Sequence, residues 1–336
     1  MKNTKNQTSD NSLARDSSPH RAVQWVSVDE DRAGQRIDNF LLTFLKGVPK
    51  SRIYRLVRKG EVRVNKGRIK PEYKLAVGDV VRVPPVRVSE RASAPKPSEG
   101  LAVLLEKSVL YENEQMLVIN KPPGLAVHGG SGIQLGLIES LRQIRPESRF
   151  LELVHRLDRE TSGCIMVAKK RSSLRHLQQE LREGRINKVY NALVGGQWSK
   201  RRQHVNMALI KNQLANGERI VKVAAAGSEG AKSSLTQYRI LQRFEKATLV
   251  EAKPITGRTH QIRVHCQYAG HPIIGDDKYG QSEVDKHFRS LGLKRLFLHA
   301  LKLEFTLPGQ QGKTTVEAPL GEDLTAVFRR LEVLPE

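Results

Sequence analysis

Between Leu153 and Gly163 the chain reads Leu-Val-His-Arg-Leu-Asp-Arg-Glu-Thr-Ser-Gly, with Phe150-Leu-Glu-Leu-Val154 leading in and Cys164-Ile-Met-Val-Ala168 leading out. Both flanks are rich in strand-forming side chains, so the segment predicts two buried strands joined by a short polar reversal. That restricts the fold sharply. Whatever buries the flanks must carry one carboxylate, Asp158, to the end of a sheet with Arg156 and Arg159 on either side. A turn that only reverses the chain rarely holds four charges and a histidine, so Asp158 is the first candidate for chemistry.

Size and composition limit the setting. At 336 residues, with 38% hydrophobic and 5% aromatic side chains, the chain can build one large domain and one small one. No apolar run approaches the ~18 residues of a membrane span. The polar start, Met1-Lys-Asn-Thr-Lys-Asn-Gln-Thr-Ser-Asp10, lacks the apolar centre of a signal peptide. The expected location is therefore cytoplasmic, without a membrane partner. Cys164 and Cys266 each sit in an apolar segment and are expected to be reduced core residues. Lys and Arg outnumber Asp and Glu by 57 to 35, a net charge of +22. Such a field attracts polyanions and speeds their encounter, which makes nucleic acid the first partner class. Charge alone does not distinguish RNA from DNA.

Residues 1–21 are polar and charged with almost no apolar content, and are expected to form a disordered tail. From Val23 a short strand (Val23, Trp25, Val26, Val28) leads to a helix whose Ile37, Leu41, Phe44 and Leu45 share a face. A second helix is expected with Ser51 as its N-cap, Ile53, Leu56 and Val57 inward, and Gly60 at its end. Arg52, Arg55, Arg58 and Lys59 fall on its remaining surface. Alternation at Val62 and Val64, an Asn65-Lys66-Gly67 turn and Val80–Val83 complete a compact module over 22–88. Residues 89–105 combine Pro, Ser and charge, as an interdomain linker does.

A larger domain is expected over 106–336. Val109–Tyr111 and Met116–Ile119 predict strands, 172–184 an amphipathic helix, and Lys188–Val194 a strand. Residues 195–230 read as basic and loop-rich. Strands are expected at Leu235–Leu241 and Ala247–Lys253. In Pro254–His265 a turn feeds a segment with Ile262 and Val264 in phase, and a short helix closes the chain over Leu324–Leu334.

Several familiar chemistries fail on spacing. His155, Asp158 and Ser162 have the letters of a hydrolase triad but no G-x-S-x-G elbow, and one tight turn cannot set their relative positions. His260, His265, Cys266 and His271 lack C-x-x-C or H-E-x-x-H spacing, so no metal site is expected. His128-Gly-Gly-Ser-Gly132 and Gly312-Lys-Thr314 do not keep the P-loop register. What remains is a lone carboxylate among cations, with Arg258 and Arg263 available from later in the chain. Cations hold a carboxylate ionised, and desolvation strengthens it as a nucleophile or electrostatic partner. In so basic a protein this points to attack on a sugar or base carbon of a nucleic acid.

Three ordered motifs carry a resemblance. His155-Arg-Leu-Asp-Arg-Glu-Thr-Ser-Gly163 resembles the H-R-L-D-x-x-T-S-G motif of RNA pseudouridine synthases of the ribosomal large subunit type. Arg258-Thr-His-Gln-Ile-Arg263 is similar to that family's R-x-H-Q-[IL]-R motif, and Lys188-Val-Tyr190 to its K-x-Y segment. Asn120-Lys-Pro-Pro-Gly-Leu125 and His299-Ala300 also fit. Near the N-terminus, Gln35-Arg-Ile-Asp-Asn-Phe-Leu-Leu42 and Ser51-Arg-Ile-Tyr-Arg-Leu-Val-Arg-Lys-Gly-Glu-Val-Arg-Val-Asn65 resemble an S4 RNA-binding domain.

The resemblance implies an α+β fold. A mixed, mainly antiparallel sheet with flanking helices and a basic cleft would join a small α+β S4-like domain. It implies isomerisation of specific uridines in 23S ribosomal RNA, with transfer RNA or simple RNA binding as alternatives. It implies no cofactor, no metal and a monomer. Asp158 would attack C6 of the base or C1′ of the ribose, Arg263 would pair with Asp158, and Tyr190 would stack on the flipped uracil and help with the proton step. Arg156 would fill the vacated space or hold a phosphate, Arg258 would contact substrate, and Arg52, Arg55, Arg58 and Lys59 would meet RNA phosphates.

Overall fold

The structure is a computed structural model that describes residues 22–30, 32–45, 47–86, 95–130, 135–213, 219–225, 227–331 and 333. The expected tail over 1–21 lies outside these residues, as do 87–88 of the expected module and 89–94 of the expected linker. The chain divides into two units, Met1–Ala94 and Pro95–Glu336.

The first unit contains β1 (Gln24–Ser27), α1 (Ile37–Phe44), α2 (Lys50–Arg58), β2 (Arg63–Val64), β3 (Gly67–Arg68) and β4 (Val80–Val83). Its strands pair antiparallel in the order β1-β4-β2-β3. Ile37, Leu41 and Leu45 of the first helix face and Ile53, Leu56 and Val57 of the second pack on Val64, Val81 and Val83 of the sheet. Asn65 and Lys66 both take positive φ, 49° and 66°, forming the two-residue turn that suits the twist of the β2–β3 hairpin. The expected N-cap at Ser51 is not used. The helix begins at Lys50 with Pro49 in the N-cap position. Proline needs no N–H partner, and its ring presets the approach to the first turn.

The second unit opens with α3 (Glu99–Lys107), which takes over most of the expected linker's C-terminal part. Ser98 caps it, accepting from Leu101 N–H at 3.2 Å, and Leu105 is fully buried. A prolyl-seryl composition hid a capped, singly anchored helix. Then follow β5 (Val109–Glu112), β6 (Met116–Lys121), α4 (Leu137–Ile144), β7 (Glu152–Leu153), β8 (Ser162–Ala168), α5 (Arg171–Arg182) and β9 (Asn187–Gly195). The segment expected to be loop-rich supplies three strands, β10 (His204–Asn206), β11 (Leu209–Gln213) and β12 (Arg219–Val223). The chain continues through β13 (Leu235–Arg243), β14 (Ala247–Pro254), α6 (Gln261–Tyr268), α7 (Ser282–Ser290), β15 (Leu298–Phe305), β16 (Thr314–Glu317) and α8 (Glu322–Phe328). The closing helix thus starts earlier and ends sooner than the expected 324–334. The in-phase pair Ile262 and Val264 belongs to α6, not to a strand; Gln261 through Cys266 are all buried, so no single apolar face betrays the helical period.

Among the described residues the main sheet runs β10-β13-β14-β9-β15-β8-β6-β5, with β16 added to β15 and β7 to β8. It is mixed and mainly antiparallel, as expected. The parallel contact is β15 on β8, where His299 faces Ser162 and Ala300 faces Gly163. Strand β8 is buried along its whole length. Ile165 and Val167 join the cluster on one face, and Cys164, Met166 and Ala168 join the cluster containing Leu177 of α5 on the other. A strand covered on both sides needs a continuous apolar run, which is how 164–168 reads. Both cysteines are free and buried.

Gly163 makes the parallel contact possible. Its φ is +107°, and a Cβ there would lie 2.3 Å from the Ala300 carbonyl oxygen. Gly163→Ala is expected to lower stability by about 2 kcal/mol or more through backbone strain and displacement of β15. The urea midpoint measures this, and a midpoint equal to the parent's would contradict the assigned register.

Candidate active site

The turn between β7 and β8 is fixed before any substrate is considered. Leu157 is buried in the core, and Thr161 N–H donates to the Asp158 carbonyl at 3.2 Å. Lys121, fully buried at the end of β6, donates from Nζ to the carbonyls of Pro122, Leu125 and Arg159 at 2.8, 2.9 and 3.0 Å. Burial pulls the Lys121 ammonium down to about 7. The three acceptors oppose that loss, because an ammonium has three N–H donors for them and a neutral amine only two. Arg159 Nε donates to the Gly124 carbonyl at 2.9 Å. Arg159, for which no role was expected, thus fastens the turn to the Pro122–Leu125 loop. The far end is held by Ser162, whose hydroxyl lies 2.9 Å from His299 Nδ1 and accepts from Arg295 at 3.2 Å.

Asp158 stands on this turn with 19% of its side chain exposed. Arg263, in the first turn of α6, reaches its Oδ2 at 3.5 Å through Nη1. The guanidinium's fork is committed elsewhere: Nε and Nη2 each donate at 2.7 Å to the two oxygens of Asp276. Asp276 also accepts the N–H groups of Lys278 and Tyr279, both at 3.0 Å. Burial opposes the charge on Arg263, yet Asp276 and then Asp158 raise its pKa above the ordinary value. The Tyr279 ring lies 5.0 Å from the same guanidinium.

His260 completes the cluster. Its Nε2 is 3.8 Å from Asp158 Oδ2, and its Nδ1 is 2.8 Å from the Tyr279 hydroxyl, which accepts from Val221 N–H at 3.0 Å. With the Tyr279 proton directed to Nδ1, the ring carries its own proton on Nε2, facing the carboxylate. Burial lowers the His260 pKa and the Asp158 charge opposes the shift. The residue sits in the left-handed region at φ 53°, ahead of α6.

Tyr190 on β9 is buried, and burial followed by the charge of Asp158 raises its pKa well above that of an ordinary phenol. It lines, with Asp158, a cavity of about 520 Å³ that also includes Arg156, Arg182, Lys188, Arg258 and Arg263. A roomier groove of about 900 Å³ follows β10 and β13 and contains neither Asp158 nor Tyr190.

The structure therefore brings Asp158, Tyr190, Arg263, Arg156 and Arg258 to one cavity. Arg156 and Arg258 are exposed, and Arg258 Nε donates to the Ser233 carbonyl at 3.1 Å. Arg52, Arg55, Arg58 and Lys59 belong to the other unit, on α2 or directly after it, and none meets a carboxylate among the described residues. Sequence reasoning missed Asp276 and Tyr279, and named Lys188 in its motif without giving it a role. An aspartate after Ile273-Ile274-Gly275 needs a buried cation, which was the one available signal. Lys188 is half-buried without a carboxylate partner among the described residues, and burial lowers its pKa. His265 and His271 are engaged with Ser234, Thr236 and backbone carbonyls. No group of three or more His, Cys, Asp or Glu among the described residues is placed to share a metal ion.

Residues 115–268 match the family model for RNA pseudouridylate synthase, and residues 35–81 match that for the S4 domain. The solved structure of human RNA pseudouridylate synthase domain containing 4 aligns with 70% of this chain and 98% of its own, at 27% identity and a TM-score of 0.56. The fold is thus that of an RNA pseudouridine synthase. Ribosomal large subunit pseudouridine synthase C of Pasteurella multocida is 57% identical over 313 residues, 93% of this chain and 95% of that protein. Its counterpart in Escherichia coli K12 is 56% identical over 313 residues, 92% and 97% of the two chains. The chain belongs to the RNA pseudouridine synthases of the ribosomal large subunit type, and its S4 match precedes its synthase match.

The turn also supplies a pH probe. Met166 N–H donates to His155 Nε2 at 3.2 Å, and burial, with the charge of Lys188, pushes the His155 pKa down to about 4. The unfolded value is near 6.5. Between the two the unfolded chain binds more protons, so this contribution is complete above about 6.5 and lost as pH falls towards 4. Stability is expected to drop by about 1–2 kcal/mol from this group between pH 7.5 and pH 5. His155→Gln should flatten that limb in urea titrations, and an identical pH dependence in both proteins would reject the assignment.

Proposed function

We propose that this enzyme converts particular uridines of 23S ribosomal RNA to pseudouridine, in the cytoplasm, with Asp158 as the catalytic carboxylate. The observation that carries the reading is Asp158 itself. It is one-fifth exposed, at 19%, paired with Arg263, and set in a basic cavity of about 520 Å³, a volume suited to one extruded nucleotide. A target base inside a stacked RNA is out of reach, so it must be flipped into such a pocket.

In this reading Asp158 attacks the ring at C6 or the ribose at C1′. The N1–C1′ bond breaks, the uracil turns, a C5–C1′ bond forms, the bond between Asp158 and carbon breaks to return the carboxylate, and the C5 proton leaves as N1 takes up a proton. Bonds broken and made balance within one nucleotide, and the product is an isomer. Arg263 orients Asp158 through its remaining Nη1, since Asp276 fixes the rest of the guanidinium. Tyr190 offers its ring to the flipped uracil. Its raised pKa keeps the phenol protonated, so it serves better as a stacking surface than as a resting base. Arg156, exposed at the rim and without an ion-pair partner among the described residues, is free to enter the space the base leaves. Arg258 is held by Ser233 and suits a backbone phosphate contact.

Asp158→Asn is expected to lower isomerisation by about three orders of magnitude or more, with RNA affinity nearly unchanged. Tritium release from C5-labelled ribosomal RNA measures the first and filter binding the second. Near-full activity in the variant would sink the proposal, and activity confined to transfer RNA would move it to another substrate.

Arg52, Arg55, Arg58 and Lys59 are proposed to meet RNA phosphates. Replacing all four with Gln should reduce the slope of log affinity against log salt by about 3, the release expected for four phosphate contacts. An unchanged slope would remove these residues from the interface.

A further inference from the structure

The outward face of the first unit's sheet carries a row of side chains that the chemistry at Asp158 does not use. Trp25 on β1 faces Arg82 on β4, Arg82 faces Arg63 on β2, and Arg63 faces Arg68 on β3. Directly opposed residues share a face, so these four lie side by side over three interstrand steps, about 14 Å. The other face is spoken for: Val26, Val64, Val81 and Val83 pack against the helices. The Trp25 side of the sheet is open. The indole is 57% exposed, whereas the chain's other tryptophan, Trp198, is 1% exposed.

The arginines of the row are held by backbone and not by carboxylates. Arg63 Nε donates to the Gly60 carbonyl at 3.1 Å, and Arg82 Nη1 donates to the Glu61 carbonyl at 2.6 Å. Arg68 Nε passes close to Gly60, 2.8 Å from where a Cβ would stand. The three guanidiniums thus converge on the α2–β2 connection, next to exposed Arg58 and Lys59. None has an acidic partner among the described residues. An exposed ring in line with three uncompensated planar cations is complementary to a ligand with π faces and regularly spaced negative charge.

We propose that this sheet face binds an unpaired segment of the RNA substrate, with one base stacked on Trp25 and the adjoining phosphates held by Arg82, Arg63 and Arg68. Duplex RNA offers no free base face to the indole, and a polyanion without bases would use the arginines alone. The site rests on RNA being the substrate and asks nothing of Asp158. Stacking at Trp25 supplies affinity for single-stranded RNA beyond what charge gives, without base-specific hydrogen bonds.

Intrinsic fluorescence of the full-length protein tests this, because Trp25 is the exposed one of two tryptophans. An unpaired oligouridylate is titrated beside a hairpin duplex and an inorganic polyphosphate of matched charge. Oligouridylate should quench the exposed-tryptophan emission, while the duplex and polyphosphate leave it unchanged at saturation. Trp25→Ala should abolish the quench and weaken oligouridylate binding about tenfold. Trp25→Phe, which keeps a stacking ring, should bind within about threefold of the parent. Circular dichroism and the urea midpoint confirm that each variant is folded. Full emission at saturating oligouridylate, equal quenching by polyphosphate, or parental affinity in Trp25→Ala would each overturn the proposal. Isomerisation measured on the parent protein separates the readings: no oligouridylate quench with turnover intact rejects this site alone, and a quench without turnover rejects the assignment of Asp158 alone.

Discussion

The guanidinium of Arg263 is the interaction on which the site depends. It is 5% exposed, and a buried cation that lacks a counter-charge costs several kcal/mol. Asp276, fully buried, answers two of its donor directions at 2.7 Å and is itself held by two backbone N–H groups. Of the remaining donors, Nη1 reaches Asp158 at 3.5 Å, and Nη2 has the exposed Asp277 at 3.5 Å. The division matters for reactivity. A carboxylate locked bidentately to arginine has both oxygens engaged, whereas the contacts of Asp158 with Arg263 and His260 are long and both fall on Oδ2. Asp276 takes the structural pairing so that Asp158 need not.

This arrangement requires α6 and the β7–β8 turn to approach from different parts of the chain with little tolerance. The turn is fixed by groups outside the reaction: the Lys121 ammonium on three carbonyls, Arg159 on Gly124, and Gly163 admitting Ala300. On the α6 side, Gln261 Oε1 accepts from Arg258 N–H at 3.0 Å and from the Thr256 hydroxyl at 2.7 Å, tightening the reversal before the helix. Gly275, at φ +77°, passes its backbone against the Arg295 carbonyl where a Cβ would lie at 2.2 Å, and so delivers Asp276 to Arg263. A small set of backbone anchors converts sequence separation into a fixed carboxylate–guanidinium geometry.

What was legible in the sequence follows from what each element buries. Strand β8 read clearly because both its faces are covered, and α1, α2 and α5 read clearly because each has one apolar face. Helix α6 misled because it is buried nearly all round, so Ile262 and Val264 fit a strand's period as well as a helix's. The β10–β12 strands were hidden by polar, basic composition; the β11–β12 hairpin gains its burial from Val264 and Tyr279, which lie far along the chain. Asp158, Tyr190 and Arg263 could be named from motifs. The roles of their supports could not be read, because Asp276, Tyr279 and Lys121 act through contacts that only the tertiary fold creates.

Charge shows the same separation of local from global. The excess of +22 is a property of the composition, but its use depends on which cations have partners. Arg145 is consumed by Glu106 and Glu112, and Arg239 by Glu251. In the cavity around Asp158, Arg156, Lys188 and Arg258 have no carboxylate partner among the described residues, and on the first unit Arg63, Arg68 and Arg82 have none. Pairing cancels the field of the first set at short range, while the second set remains available to a polyanion and is reduced only by salt. Unpaired cations thus stand in the cavity around Asp158 and beside the exposed indole of Trp25. Attraction to RNA is therefore directed by the pattern of neutralisation, and not by net charge alone.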